Sequence, residues 1–383
     1  MKKIAVVTAT RAEYGLLSPV IKALRKHENG IFRVDLIVTG THLSDEFGMT
    51  VNEIDDRIDY RIPIPVKSFS ETDISANQAD ALVKFTELFA LQKYDAVVLL
   101  GDRYETLAVA IAAGNTRTPV FHLCGGDTTE GAMDEWIRHS ITKISYLHFV
   151  TNEESRKRVI QLGEDPDRVY NYGSTSIDNI LTIADLGKKE VLESIGLPVC
   201  RYALCTYHPA TMESDDVDMQ IKNFLQAVAS FPDLQFIVTK SNADQGGVRI
   251  NELLDEAEAG IPNLHVFASL GAKRYLSLMK YAEFVIGNSS SGIIETPAFH
   301  IPTVNIGDRQ RGRLRTESII DCGFHSEDIA KAVSIALSAE HRAKCLQAES
   351  PYGDGHASEK IASKMVSTIF YERIDLRKKF YMI

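Results

Sequence analysis

An apolar run, Val97-Val98-Leu99-Leu100, stops at Gly101 and is followed by Asp102-Arg103-Tyr104-Glu105 and an alanine-rich stretch. Carboxylates beside a guanidinium, just past a buried strand, are the groups that proton transfer uses. The plainer reading of Asp102 is a cap for the helix that begins near Tyr104. A second acidic pair, Asp134-Glu135, opens another helical stretch, where it also suits the helix dipole. His139, in the same stretch, reads as a packing or hydrogen-bonding residue. His208 directly precedes Pro209 at a strand end, which holds it in extended geometry. Farther on, Gly287–Glu295 reads GNSSSGIIE. Small residues let the backbone approach an anion at a helix N-terminus, and the hydroxyls add donors. Without a ligand the same serines are simply a helix cap. The next strand ends in NIGDRQRGRLR (Asn305–Arg315), with four arginines. Amides and hydroxyls from one strand end and guanidinium from its neighbour make a diphosphate cradle.

The elements that must carry these groups alternate along the chain. Strand-like runs occupy Ile4–Thr8, Val34–Val38, Ala96–Leu100, Val120–Leu123, His148–Thr151 and Val169–Tyr172. A second set occupies Ala203–Tyr207, Gln235–Thr239, Leu264–Ala268, Phe284–Gly287, Thr303–Ile306 and Ser318–Asp321. Between them Leu16–His27, Asn77–Leu91, Ser155–Leu162, Ser214–Ser230, Arg274–Tyr281 and Ile329–Leu337 have apolar residues at helical spacing. Alternating strand and helix is the pattern of a doubly wound parallel sheet, and the strands are too many for one sheet of usual size. An α/β chain of two Rossmann-like domains follows. The break falls after NYGSTSID (Asn171–Asp178), before the polar, charged helix around Leu186–Ile195, with the domains set at 1–173 and 174–358 and a C-terminal helix, 359–383, able to return to the first. In such sheets ligands sit beyond the carboxyl ends of the strands, where Asp102 and the serine and arginine stretches lie.

The bulk properties narrow the field. The chain has 383 residues, 44% hydrophobic and 25% charged, which suits about two globular domains. Its net charge of -10 argues against a nucleic-acid surface, since phosphate contacts need a basic face. Five cysteines without Cys-x-x-Cys spacing suit a reducing compartment, with no structural zinc. No run has the length of a membrane span, and Met1-Lys2-Lys3-Ile4 leads straight into a strand rather than a signal peptide. A cytoplasmic protein without membrane partners is expected. After the first strand TATRAEYG (Thr8–Gly15) replaces the glycine fingerprint of dinucleotide binding, and the phosphate-loop pattern is absent too.

Seven motifs in order carry a resemblance: TRAEYG, GTHLSDEFG (Gly40–Gly48), GDRYE, HLCGGDTTEGAMDEWIRHSITK (His122–Lys143), YHPAT (Tyr207–Thr211), GNSSSGIIE and GDRQRGR. Together they resemble the hydrolysing UDP-N-acetylglucosamine 2-epimerases, which supply N-acetylmannosamine for sialic acid synthesis. The match runs from residue 4 to about 370. The resemblance implies a fold like that of B-type glycosyltransferases, with the two domains facing across a cleft that takes the sugar nucleotide. It implies a reaction in which UDP leaves C1 as a proton leaves C2, giving a glycal to which water adds, with no metal and no redox cofactor. It implies that Asp102 and Asp134 are the catalytic carboxylates. Arg11, His208, Ser289, Ser290 and Arg309 fall where the diphosphate or reacting sugar is held, and His208 is counted with the catalytic groups. Glu295 falls on a ribose-binding position and His42 near the sugar; Arg103 and Gly292 join the substrate-binding set. A homo-oligomer, dimer or tetramer, follows by analogy.

One departure stands out. Many relatives carry Glu at the position of Cys124, in a His-x-Glu-Gly-Gly pattern. Here Asp127 is the acid left nearby to take over, with Arg103 expected to hold Asp102 and the Cys124 thiol expected to be packed rather than reactive. Three rivals remain: the same reaction on UDP-N,N'-diacetylbacillosamine, a true B-type glycosyltransferase, and a non-catalytic sugar-nucleotide sensor.

Overall fold

The computed structural model describes residues 1–382 apart from 46–47, 66–70, 129–132, 209–216 and 242–246. Parts of three motifs, including Pro209 and the residues just before Met133, lie outside the described residues, as does the start expected for the helix at Ser214.

The chain divides into two compact units, Met1–Asp178 with the chain from Tyr352 onward, and Asn179–Pro351. In the first, β1 (Lys2–Thr8), β2 (Phe32–Thr39), β3 (Tyr60–Ile62), β4 (Ala96–Leu100), β5 (Val120–Leu123), β6 (Leu147–Val150) and β7 (Val169–Asn171) form one sheet. Among the described residues its order is β3-β2-β1-β4-β5-β6-β7, all parallel. Strands such as Ala96–Leu100 are buried along their whole length, because helices cover both faces of a parallel sheet. These helices are α1 (Arg11–Arg25), α2 (Glu71–Gln92), α3 (Tyr104–Asn115), α4 (Met133–Ile144) and α5 (Glu153–Gln161). The chain leaves through α6 (Thr175–Ile183).

The second unit repeats the plan. Its helices are α7 (Lys188–Glu193), α8 (Val217–Ala229), α9 (Gly247–Glu258), α10 (Gly271–Tyr281), α11 (Ser290–Ile294), α12 (Ser326–Ala336) and α13 (Ala339–Gln347). Its strands are β8 (Tyr202–Thr206), β9 (Gln235–Thr239), β10 (Leu264–Phe267), β11 (Phe284–Gly287), β12 (Thr303–Ile306) and β13 (Ile319–Cys322). They pair in parallel in the order β10-β9-β8-β11-β12-β13. Each sheet reverses its winding once, between β1 and β4 and between β8 and β11, and such reversals open the crevice where doubly wound folds bind ligands.

α14 (Ala357–Tyr371) returns to the first unit, where Ile361, Ala362, Met365 and Ile369 join Leu17, Val20 and Phe32 in one core. The border between units falls after Asp178, at the end of the stretch expected to precede the break though not at the domain bound of Gly173, and the return begins at Tyr352 rather than Glu359. The reason is local. The Asp178 carboxylate accepts the N–H groups of Ala357 (3.0 Å) and Ser358 (2.6 Å) at the head of α14. Ser174 N–H donates to the Tyr352 carbonyl at 2.7 Å.

Some elements differ from expectation. β3 has three half-buried or exposed residues and little apolar signal. α1 starts at Arg11, ahead of its apolar spacing, because Thr10 and Glu13 form a capping box. α6, α9 and α13 also lie outside the periodic stretches. No helix among the described residues is long and apolar enough to cross a membrane.

Candidate active site

At the end of β4, Gly101 turns the chain with φ +78°, a left-handed conformation that favours glycine. His122, fully buried on β5, donates from Nε2 to the Gly101 carbonyl at 2.8 Å. Its Nδ1 therefore accepts from the Thr142 hydroxyl at 3.2 Å, and burial pushes the imidazole pKa down to about 3. A neutral histidine thus pins the turn that presents Asp102.

Asp102 does not cap α3. Arg103 holds the N-cap position, and its side chain makes no cap bond. Nor does Arg103 hold Asp102, as the sequence suggested: its Nη2 and Nε donate to Glu105 at 3.0 and 3.1 Å. Asp102 instead accepts from Arg138 of α4, from Nε at 2.8 Å and from Nη2 at closer range. Two residues on from Arg103 in sequence, Glu105 is fully buried on α3 and claims the nearer guanidinium. Arg138 Nη1 donates to the Asp127 carbonyl at 2.6 Å and to Glu135 at 3.1 Å. Asp134 stands exposed on the first turn of α4, and burial of its surroundings together with the Asp102 charge raises its pKa.

Asp127 accepts on Oδ1 from Ser155 (2.6 Å) and Thr151 (3.0 Å), so it braces the turn after β5. Cys124 sits in that turn with φ +63°, its N–H donating to the Phe149 carbonyl at 2.9 Å. Burial, then the charges of Asp127 and Asp102, push its thiol well above the usual range. It is protonated and unsuited to nucleophilic attack.

Around β1, Arg11 is exposed on the first turn of α1 and pairs with Glu53 at 2.9 Å. His42 is buried; Thr8 and Thr50 hydroxyls lie 3.2 and 2.9 Å from its two nitrogens, and burial lowers its pKa to about 4. Both nitrogens are thus engaged within the protein. Glu13 accepts Ala9 N–H (2.7 Å) and Thr10 N–H (3.1 Å) and takes the Thr106 hydroxyl on its other oxygen, which ties α1 to α3.

In the second unit the reversal between β8 and β11 gathers the remaining residues. Gly287 has φ +137°, and a Cβ there would lie 1.9 Å from the Thr206 carbonyl oxygen, so no side chain fits. Asn288 is the hub. Its side chain exchanges hydrogen bonds with the His208 backbone at 2.7 and 2.8 Å. Its carbonyl accepts from Arg309 (3.1 Å) and Gln310 (2.8 Å). The His208 ring reaches the Ser241 hydroxyl at 3.2 Å. Ser289 is the N-cap of α11, and Ser290 is its first residue. Gly292 packs against β12: a Cβ there would lie 2.9 Å from Thr303 Cγ2. Glu295 closes α11 and accepts from the Ser291 hydroxyl, and burial raises its pKa to about 7.

The structure thus brings Asp102, Asp127 and Asp134 together in one unit, and His208, Ser289, Ser290, Gly292, Glu295 and Arg309 in the other. The family model for UDP-N-acetylglucosamine 2-epimerases matches residues 22–366. The chain belongs to the UDP-N-acetylglucosamine 2-epimerase family. A Campylobacter jejuni protein named GDP/UDP-N,N'-diacetylbacillosamine 2-epimerase (hydrolyzing) is 41% identical over 333 residues, 86% of each chain. Polysialic acid biosynthesis protein P7 of Escherichia coli is 38% identical over 356 residues, 92% of this chain and 90% of its own. Among solved structures, UDP-GlcNAc 2-epimerase from Neisseria meningitidis bound to UDP-GlcNAc superposes with TM-score 0.76 at 20% identity, over 96% of this chain and 100% of that one. The likeness shows the fold, two Rossmann-like domains of the glycosyltransferase-B type.

Within this epimerase-family site, sequence reading missed Arg138, Asn288 and Gln310. Arg138 had a signal: with Ile137, Ile141 and Thr142 it occupies the buried stripe of α4, where an unpaired charge is not tolerated. Asn288 and Gln310 had none, since both act through backbone contacts made across the sheet.

Proposed function

We propose that this protein catalyses the hydrolytic 2-epimerisation of a UDP-linked 2-acetamido sugar. The C2–H bond and the C1–O bond to UDP break as the C1=C2 double bond of a glycal forms. Water then adds, hydroxyl to C1 and proton to C2 on the opposite face, releasing UDP and the 2-epimeric sugar. The observation that carries this reading is the acid pair at the carboxyl end of the first sheet, Asp102 held by Arg138 of α4 and Asp134 one turn earlier on the same helix. A transferase that only moves a sugar to an acceptor has no need of two carboxylates so placed. Asp102 and Asp134 serve proton removal at C2 and the handling of water. Ser289, Ser290, the amides heading α11, Arg309 and His208 serve the diphosphate, and Glu295 the ribose hydroxyls. Arg11 and Arg103 line the approach to the sugar. Neutral, fully engaged His42 serves by holding the β1 turn.

The substrate is UDP-N-acetylglucosamine, giving N-acetylmannosamine for sialic acid synthesis, a reading favoured by the polysialic acid relative. UDP-N,N'-diacetylbacillosamine is the second reading, favoured by the Campylobacter jejuni relative. The purified protein is incubated with each in deuterated water, without acceptor. Free UDP and a 2-epimeric sugar deuterated at C2 are expected, and kcat/KM ranks the two substrates. Epimerised UDP-sugar without free UDP would mean a non-hydrolysing enzyme. No turnover of either would favour a transferase or a sensor.

A further inference from the structure

Arg138 has no role in the readings above, yet its surroundings are built for one. Its side chain is 5% exposed, and a guanidinium so buried is kept only by full pairing. It spends three nitrogens on three elements. Nε and Nη2 grip one oxygen of Asp102 at the end of β4. Nη1 takes the Asp127 carbonyl in the turn after β5 and Glu135 on its own helix. Arg138 also lies four residues after Asp134, so the two side chains share one face of α4. The separation of Asp102 from Asp134 is thereby set by one guanidinium, since the helix that carries one acid is bolted to the other. Arg103, the cation nearest in sequence, is committed to Glu105 and leaves this task to α4.

We propose that Arg138 is the positioning residue of the acid pair, aiming the Asp102 carboxylate and fixing its distance from Asp134 for proton transfer. The proposal rests on the epimerase reading. The groups facing Asp102 are Arg138 and Asp134 of α4 and Cys124 of the turn after β5; Asp127 faces Cys124 and Arg138, and Arg103 faces Asp134. Arg138 is thus the positive charge bonded to Asp102 amid acids.

The test uses full-length Arg138→Lys and Arg138→Ala, each checked for folding by thermal melt and for UDP affinity. Lysine keeps the charge but cannot span three elements, so kcat falls by about 10-fold or more, with KM and UDP affinity little changed. Alanine lowers kcat further and shifts the acid limb of the kcat/KM profile upward by about one pH unit or more, because Asp134 loses the nearby Arg138 charge that favours its ionised form. Guanidinium ion at millimolar concentration restores part of kcat in Arg138→Ala and moves the limb back. Should Arg138→Ala not fold, the Lys variant decides through kcat. Wild-type kcat in Arg138→Lys overturns the proposal. So does a folded Arg138→Ala protein with an unmoved pH limb and no response to guanidinium, which marks a merely structural residue. Failure of the epimerase reading is separate: the wild-type protein then releases no UDP from either sugar nucleotide.

Discussion

Replacing Asp102 or Asp134 by Asn keeps side-chain shape and removes proton affinity. Turnover should fall by roughly 10²-fold or more in each variant. UDP binding, assigned to residues of the other unit, should largely survive. Cys124→Ser should keep most activity, because the native thiol is protonated and elimination needs no covalent intermediate. If the serine variant is as inactive as Asp102→Asn while still folded, the thiol has a chemical role and this assignment of the acids fails. Arg309 is exposed and reaches the Asn288 carbonyl at the mouth of the α11 turn. Arg309→Ala should weaken UDP binding by about one to two decades, the worth of a charge-assisted phosphate contact. Calorimetry that finds unchanged affinity would move the diphosphate elsewhere. At this scale residue types were legible and partners were not. Asp102 stood out by its place after a buried strand, but the guanidinium that grips it lies thirty-six positions away, and sequence proximity pointed to Arg103.

At the scale of elements, α4 is held at both ends. Its head carries Asp134, and its tail is fastened by the C-terminal segment. Lys378 Nζ donates to the Lys143 and Ser145 carbonyls at 2.9 and 2.7 Å and lies 2.5 Å from the buried Glu164 carboxylate. A cation at a helix C-terminus also suits the dipole. Phe380 covers Gly163, where a Cβ would lie 2.5 Å from the ring. Lys378→Met should lower stability by about 1–3 kcal/mol, since Glu164 keeps Lys143 and His148 as partners. An unchanged melting temperature would show that the segment merely rests on the surface. The buried strands of both sheets were readable as short apolar runs, because parallel strands are covered on both faces. β3 and the C-terminal segment were not, because their positions depend on partners far away in the chain rather than on their own pattern.

Across the whole molecule, buried titratable groups set the response to pH. His42 and His122 have folded pKa values of about 4 and 3, below the ordinary 6.5, so the unfolded chain binds their protons first and stability is lost as pH falls below 6.5. Glu13 and Glu295, raised by burial from 4.5 to about 7, act oppositely: their contribution is lost as pH rises from 4.5 to 7. Between pH 4.5 and 6.5 these slopes offset. Below 4.5 the glutamates no longer compensate, and Glu164, held down to about 2 with His148 and the two lysines bonded to it, adds its own loss. With His148 and His265 also lowered by burial, against Asp134 raised, the melting temperature should fall gently as pH drops from 6.5 to 4.5 and more steeply below that range. Glu295→Gln removes one of the opposing slopes, so its melting temperature should gain on the wild type between pH 4.5 and 7; a constant difference would contradict the buried carboxyl. By itself the sequence determined the α/β class, the two wound units, the family and the strand ends that carry the candidate site residues, because local patterning and turn residues act over a few positions. Tertiary structure alone decided that α14 completes the first core, that Arg138 rather than Arg103 holds Asp102, and that Asn288 ties His208, Arg309 and Gln310 together. Each of these depends on which distant residues the sheet order brings within hydrogen-bond or packing distance, and local pattern does not encode that distance.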